Sequence, residues 1–205
     1  MTAMEAYEYA DILQAPFPKG EAAIATDAEL SYSYALNILK AAFPEGEAEI
    51  AKSAYYSFYY AKDVLRGRFM QGEAAIAKNA QYSLAYARYI IKAPWWEGEA
   101  AIATDAAYSF GYAENVLEGR FRLGEAVMAT DSYISLYYAI NILKAPFPLG
   151  EKAIATNGNF SAAYAENVLK SRFRLGEAAI GTDNNLLKYY RKLFLIKPRP
   201  AFFKY

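Results

Sequence analysis

Seven glutamates recur at intervals of 26 residues and are the first side chains in this sequence that could do chemistry. Each follows a glycine, and the Gly-Glu pairs begin at Gly20, Gly46, Gly72, Gly98, Gly124, Gly150 and Gly176. A ladder of carboxylates could bind metal ions or act as acids and bases. A catalytic site, however, is a single constellation and is not copied into every unit of a repeat. We therefore interpret each glutamate as a first-turn residue that offsets a helix dipole and can pair with a turn arginine.

Tyrosine occupies a second fixed column, at Tyr34, Tyr60, Tyr86, Tyr112, Tyr138, Tyr164 and Tyr190. A row of tyrosines could stack nucleic-acid bases. This column falls within an apolar helical stripe, so the pattern predicts interior tyrosines whose hydroxyls are hydrogen-bonded.

The composition excludes several function classes. The chain has no Cys and no His, which removes disulfides, thiolate nucleophiles, imidazole bases and nearly every zinc or haem site. Lys and Arg together number 22, as do Asp and Glu, and this balance argues against a DNA mimic or a nucleic-acid coat. We predict a protein that is not an enzyme and that has no cofactor and no metal.

The ends and the apolar runs bear on localisation. The first residues lack a basic region followed by an apolar run, so no signal peptide is expected. No apolar stretch reaches the roughly 18 residues of a membrane span. These observations predict a cytoplasmic protein with no membrane partner.

The repeat itself indicates the elements that position these columns. An alanine-rich segment such as GEAAIAT predicts a short first helix. A second helix begins after a column of capping residues, at Asp27, Ser53, Asn79, Asp105, Asp131, Asn157 and Asp183. Counted from this cap, offsets 3, 7 and 11 and offsets 4, 8 and 12 form the predicted buried face. The fold class is all-α, an α-solenoid of seven 26-residue helix-turn-helix repeats with terminal caps.

This pattern predicts one elongated repeat domain over residues 1–205. Within it, residues 3–14 form an N-terminal capping helix and residues 20–195 form the seven repeats. Residues 196–205 form a basic aromatic tail that could meet nucleic acid, an anionic surface or an acidic partner, or fold over the last repeat.

The sequence of the repeat unit resembles that of known tandem repeats. The run F-P-x-G-E-A-x-I-A-x-D, followed by Y-A and V/I-L-K, is similar to tandem repeats in uncharacterised proteins of tailed bacteriophages. It is carried by Phe17, Pro18, Gly20, Glu21, Ile24, Asp27, Tyr34, Ala35, Leu39 and their copies. The chain departs from it where Met70, Trp96, Arg122 and Arg174 replace the proline. The resemblance implies a protein made inside a bacterial host cell and implies no catalytic residue.

A binding surface is expected where the copies differ. Offsets 2, 6, 9 and 13 vary and share one face of the second helix. Exposed Tyr beside Arg or Lys is typical of interface hot spots. The candidate residues for binding another protein are Tyr55, Tyr59, Lys62, Arg66, Arg88, Tyr133, Tyr137 and Lys144. An ordinary solvated face is the alternative interpretation.

Three functions follow from this sequence. The first is a non-catalytic scaffold that binds a host or defence protein. The second is a self-assembling oligomer or filament. The third is a sponge for a small anionic, nucleotide-like ligand, bound by Arg68, Arg120, Arg122, Arg172 and Arg174. Nucleic acid is expected as a partner only through the tail.

Overall fold

Residues 1–195 are described by a computed structural model, and within this range the chain forms only helices and turns. The predicted all-α repeat fold is confirmed. The chain divides into two compact units, Met1–Leu117 and Glu118–Tyr205. The single elongated domain therefore remains a prediction, and the predicted basic tail lies outside the described residues.

The first helix of each repeat is short, as the alanine-rich segments predict. These α-helices are Pro18–Ile24, Glu47–Ile50, Glu73–Ile76, Trp96–Ile102, Glu125–Met128, Glu151–Ile154 and Glu177–Ile180. Five of them follow a 3₁₀ turn, at Pro44–Gly46, Met70–Gly72, Arg122–Gly124, Pro148–Gly150 and Arg174–Gly176. Proline at the start of three of these segments is tolerated because the first N–H groups of a helix have no internal partner.

The second helix begins at the predicted capping column in every repeat. Its α-helical parts are Ala28–Ser33, Ala54–Tyr59, Ala80–Tyr86, Ala106–Asn115, Ser132–Tyr137, Gly158–Tyr164 and Asn184–Phe194. The cap side chain accepts a backbone N–H each time, as Asp27 does from Leu30 at 2.9 Å. Within each unit, consecutive second helices pack against one another and against the next first helix, which gives a solenoid-like row.

Five second helices widen into π-helical segments that the sequence pattern did not predict. They are Tyr34–Leu39, Tyr60–Leu65, Ala87–Ile91, Tyr138–Leu143 and Ala165–Leu169. The closing bonds show the extra residue: Lys40 N–H bonds to Ala35 O, and Ala41 N–H bonds to the same oxygen at 3.2 Å. Each of these two hydrogen bonds spans one residue more than the corresponding bond in an ordinary left-handed helix cap. A wider turn rotates the residues that follow it, so a single helical period does not describe the whole helix.

A left-handed residue ends the second helices of repeats 1 to 6, and it is never glycine. These residues are Lys40, Arg66, Lys92, Glu118, Lys144 and Lys170, with φ between 47° and 57°. A side chain in this conformation is strained by about 1 kcal/mol or more. Arg66 and Lys144, predicted as binding residues, therefore also serve as helix ends.

We expect Lys170→Gly to stabilise the protein by about 0.5–1 kcal/mol, because Gly adopts the left-handed conformation without Cβ strain. Lys152→Gly is the matched control. Lys152 is exposed in the α-helix Glu151–Ile154, where glycine should cost about 1 kcal/mol. Urea unfolding followed by circular dichroism gives both values. If both substitutions changed the free energy of unfolding in the same direction, the strain argument would be contradicted.

The N-terminal helix spans Ala3–Leu13, close to the predicted residues 3–14. Thr2 and Glu5 form a capping box, in which each side chain bonds to the other's backbone N–H. Ala6 and Ala10 are buried against the first repeat. Ile12, which matches the buried Ile38 one period later, is 82% exposed. This helix therefore buries its small side chains and leaves its apolar end open.

Candidate protein-binding groove

The glutamate and tyrosine columns bond to each other inside every repeat. In repeat 2, Tyr60 Oη donates to Glu47 Oε1 at 3.0 Å and accepts from the Phe43 backbone N–H at 2.8 Å. The same arrangement recurs at Tyr34, Tyr86, Tyr112, Tyr138, Tyr164 and Tyr190, all of them buried. The interior position predicted for this column is confirmed, and these rings present no stacking surface to a ligand.

Arginine joins this network in alternate repeats. Arg68 donates to both oxygens of Glu73, at 2.8 and 2.9 Å. Arg172 does the same to Glu177, at 2.7 Å for each bond, and Arg120 to Glu125. Hydrogen bonds from Arg172 hold the pKa of Glu177 below its usual range, despite the opposing effect of burial. The recurrence of Arg68, Arg120 and Arg172 every 52 residues thus coincides with a second partner for the glutamate.

The five arginines predicted to bind an anion are therefore not equivalent. Arg68, Arg120 and Arg172 each commit two donors to a carboxylate. Arg122 and Arg174 are exposed at the first position of their 3₁₀ turns.

The first unit carries an open cavity between the second helices of repeats 2 and 3. Its volume is about 400 Å³, and its lining residues are Phe58, Tyr59, Lys62, Gln81, Tyr82, Ala85 and Tyr89. We call these seven residues, together with Tyr55, the tyrosine groove. Such a volume lies at the lower end of the range for ligand pockets, about 300–1,000 Å³. The groove offers an apolar floor that is open to solvent.

Aromatic rings in the groove hold one another in place. The Tyr55 ring lies 4.7 Å from Tyr59, 4.9 Å from Tyr56 and 6.0 Å from Tyr82, measured between centroids. Phe58 adds contacts to Tyr59 and Tyr82 at 5.1 and 5.8 Å. Tilted and edge-on pairs at these distances are favourable. The cluster is consequently pre-organised, although Tyr55 is 46% exposed.

Cations border the rings. Lys62 Nζ lies 5.5 Å from the Tyr59 centroid, and the Arg88 guanidinium lies 5.3 Å from the Tyr89 centroid. Both distances are within the range of a cation–π interaction. A second cavity of about 410 Å³, between the second helices of repeats 1 and 2, is lined by Lys40 and Arg66 among others.

Two acids of this unit, Asp63 and Glu29, lie beside tyrosine hydroxyls. Asp63 Oδ2 accepts a hydrogen bond from Tyr32 at 3.3 Å, and Glu29 is a neighbour of the Tyr56 hydroxyl. Burial, and then the neighbouring carboxylate, raises the pKa of both tyrosines to about 12. Asp63 also lies 3.8 Å from Lys62 Nζ.

The second unit has a smaller version of this surface. Tyr133 is 53% exposed and lies 4.4 Å from Tyr137 and 6.2 Å from Phe160. Lys144 is exposed at the end of the same helix.

The structure brings together some of the predicted binding residues and adds others. Tyr55, Tyr59, Lys62 and Arg88 lie in or beside the tyrosine groove, and Tyr133 and Tyr137 form the pair in the second unit. Sequence reasoning missed Phe58, Tyr82 and Tyr89. Position 82 was assigned to the buried face, yet Tyr82 is only half-buried. Aromatic residues at offsets 3 and 5 of one pair of adjacent repeats were the available signal.

Comparison with protein-family models, curated proteins and solved structures finds no match to this chain. Among residues 1–195, no helix is long and apolar enough to cross a membrane.

Proposed function

We propose that this chain is a non-catalytic interaction module that binds another protein through the tyrosine groove. The observation that carries the proposal is a pre-organised cluster of partly exposed aromatic rings beside an open cavity and flanked by cations. Interface hot spots are enriched in Tyr and Arg, and rigid rings lose little entropy on binding. The resemblance to phage repeats favours a host or defence protein as the partner, met in the bacterial cytoplasm.

Sequestration of a small anion has less support. Three of its five candidate arginines already bind carboxylates of the same chain. A phosphate bound by these three arginines would have to displace those bonds. The tyrosine groove provides rings and cations without that competition.

Site-specific photo-cross-linking tests the proposal. A benzophenone amino acid at position 81, which lines the groove, should yield one stoichiometric adduct in the bacterial host, whereas the same group at exposed position 74 should not. Mass spectrometry identifies the partner, and an adduct at twice the 22.9 kDa of this chain would indicate self-assembly instead.

Substitution then measures the groove's share of the affinity for the identified partner. Tyr55→Ser combined with Tyr59→Ser should weaken binding by about 100-fold, since hot-spot residues are each worth about 1–2 kcal/mol or more. Met70→Ser is the control, because Met70 is a 76% exposed apolar residue outside the groove. Circular dichroism confirms that the variants fold. Equal affinities for the three proteins would refute the groove as the binding surface.

A further inference from the structure

The charges around the tyrosine groove point to the chemistry of its partner. At offsets 2, 6, 9 and 13 of repeats 2 and 3, the charged residues are Lys62, Arg66, Arg88 and Lys92, with no acid among them. All four are exposed. Since the chain as a whole has zero formal net charge, this local excess of positive charge is a property of the face and not of the composition.

Two acids near this surface, Glu29 and Asp63, already interact with tyrosine hydroxyls of the same unit. Asp63 accepts a hydrogen bond from Tyr32, and Glu29 lies close enough to Tyr56 to raise the pKa of that hydroxyl. Lys62 lies within 3.8 Å of Asp63 but also extends over the Tyr59 ring. Arg88 lies over Tyr89 and pairs with no carboxylate within residues 1–195. An incoming acidic group would therefore meet cations that are held in place and incompletely neutralised.

The ring geometry distinguishes between two kinds of acidic partner. A nucleic-acid base stacks on a free aromatic face. Here the Tyr55 ring meets Tyr56 at 86° and Tyr82 at 89°, so these rings are occupied by edge-to-face contacts with one another. What the groove leaves open is a cavity between helices, floored by Phe58, Tyr82 and Ala85. An apolar side chain of a peptide fits such a cavity better than a flat base does.

We infer that the tyrosine groove binds an acidic protein segment, which inserts an apolar side chain between the second helices of repeats 2 and 3 and places carboxylates against Lys62 and Arg88. The inference rests on the proposed function and adds the class of partner. The cations at Arg66 and Lys92 extend the same charge along the helices towards their left-handed ends.

Selection from a random peptide library on the full-length immobilised chain tests this inference without knowledge of the partner. Peptides eluted from the wild-type chain should be enriched in Asp and Glu around an aliphatic or aromatic residue. Affinities of the enriched peptides are then measured by fluorescence anisotropy. Lys62→Glu combined with Arg88→Glu should weaken them at least tenfold.

The matched control is Lys52→Glu combined with Lys78→Glu. It makes the same charge change at two exposed lysines outside the groove and should leave the affinities within about twofold. A thymidine oligonucleotide serves as the nucleic-acid probe and should lose no more affinity with the groove variant than with this charge-matched control.

Three results would overturn the inference: enrichment of basic or neutral peptides, equal weakening by the two double variants, or groove-dependent binding of the oligonucleotide. Absence of any groove-dependent peptide also counts against it. The photo-cross-linking result is independent of these outcomes, so a groove that captures a protein but does not prefer acidic peptides would leave the proposed function standing.

Discussion

Gly46→Ala should destabilise the protein by about 3 kcal/mol, although it adds only one methyl group to a helix start. A Cβ at position 46 would lie 2.5 Å from Ser31 Oγ and 2.6 Å from both Ser31 Cβ and Phe43 Cδ1. Ser31 is fully buried and donates to the Ile24 carbonyl at 3.1 Å, so it cannot move aside without breaking that bond. Overpacking of this kind costs typically 1–3 kcal/mol and sometimes more.

Gly67→Ala is the internal control, in the turn that follows the second helix of repeat 2. A Cβ at position 67 meets only Leu65 O, at 3.8 Å, and the residue does not have a positive φ. Alanine there restricts the unfolded chain and should be neutral or stabilising by about 0.4–1 kcal/mol. Urea unfolding followed by circular dichroism compares the two. A loss below 1 kcal/mol for Gly46→Ala would show that the helices separate easily, and the close packing inferred from the Gly-Ser contact would be wrong.

The same contact shows how far a repeated sequence predicts packing. The sequence shows the Gly column, and it shows Ser at offset 4 of the second helix in six repeats, where a small residue allows two helices to approach closely. The structure adds the partner: Gly72 and Gly98 contact Ser57 and Ser83 of the preceding repeat in the same way. The repeat predicts this packing because the same residue type occupies the same position in successive copies. The capping residues and the buried tyrosines are predictable for the same reason.

The ends of the second helices could not be predicted from that pattern. A π-helical turn depends on which carbonyl the last N–H groups reach, and this is a matter of backbone geometry with no residue type of its own. The left-handed residue that follows is Lys, Arg or Glu where a sequence rule expects Gly. Both features change which of the residues beyond them face outward, so a regular helical period does not describe the ends of these helices.

The tyrosine groove was predicted in part for a related reason. Variation between copies identified the exposed column that contains Tyr55 and Tyr59, because positions free of the repeat constraint face solvent. The groove itself depends on pairs of neighbouring repeats, such as Phe58 of one and Tyr82 of the next. Comparing the repeats one position at a time does not detect such pairs of residues.

Alkaline pH should unfold this protein between about pH 10 and pH 12. Burial raises the pKa of Tyr34 and Tyr138 to about 12, and the Glu bonds add to this against the lowering effect of the backbone N–H. Burial likewise raises the pKa of Tyr60, Tyr86, Tyr112, Tyr164 and Tyr190. In the unfolded chain the same hydroxyls ionise near pH 10.

Stability falls at alkaline pH because the folded and unfolded states bind different numbers of protons. Above pH 10 the folded state retains protons that the unfolded state has lost, so the free energy of unfolding falls as pH rises. A two-unit difference in pKa corresponds to about 2–3 kcal/mol for each tyrosine by pH 12. A few such residues in one unit equal a typical total stability of about 5–15 kcal/mol. Tyrosinate absorbance and circular dichroism should therefore change together in one steep transition.

Tyr60→Phe separates this mechanism from general alkaline denaturation. At pH 7 the variant should lose about 1–3 kcal/mol, because the Phe43 N–H loses its acceptor and Glu47 its donor. Above pH 10 its stability should fall less steeply than that of the wild-type chain, since one group that resists ionisation has been removed, and the two curves should converge. Tyr133→Phe, at a 53% exposed position, should change the stability at pH 7 by less than about 0.5 kcal/mol. Parallel curves for Tyr60→Phe and the wild-type chain would show that the buried tyrosines do not control the alkaline transition.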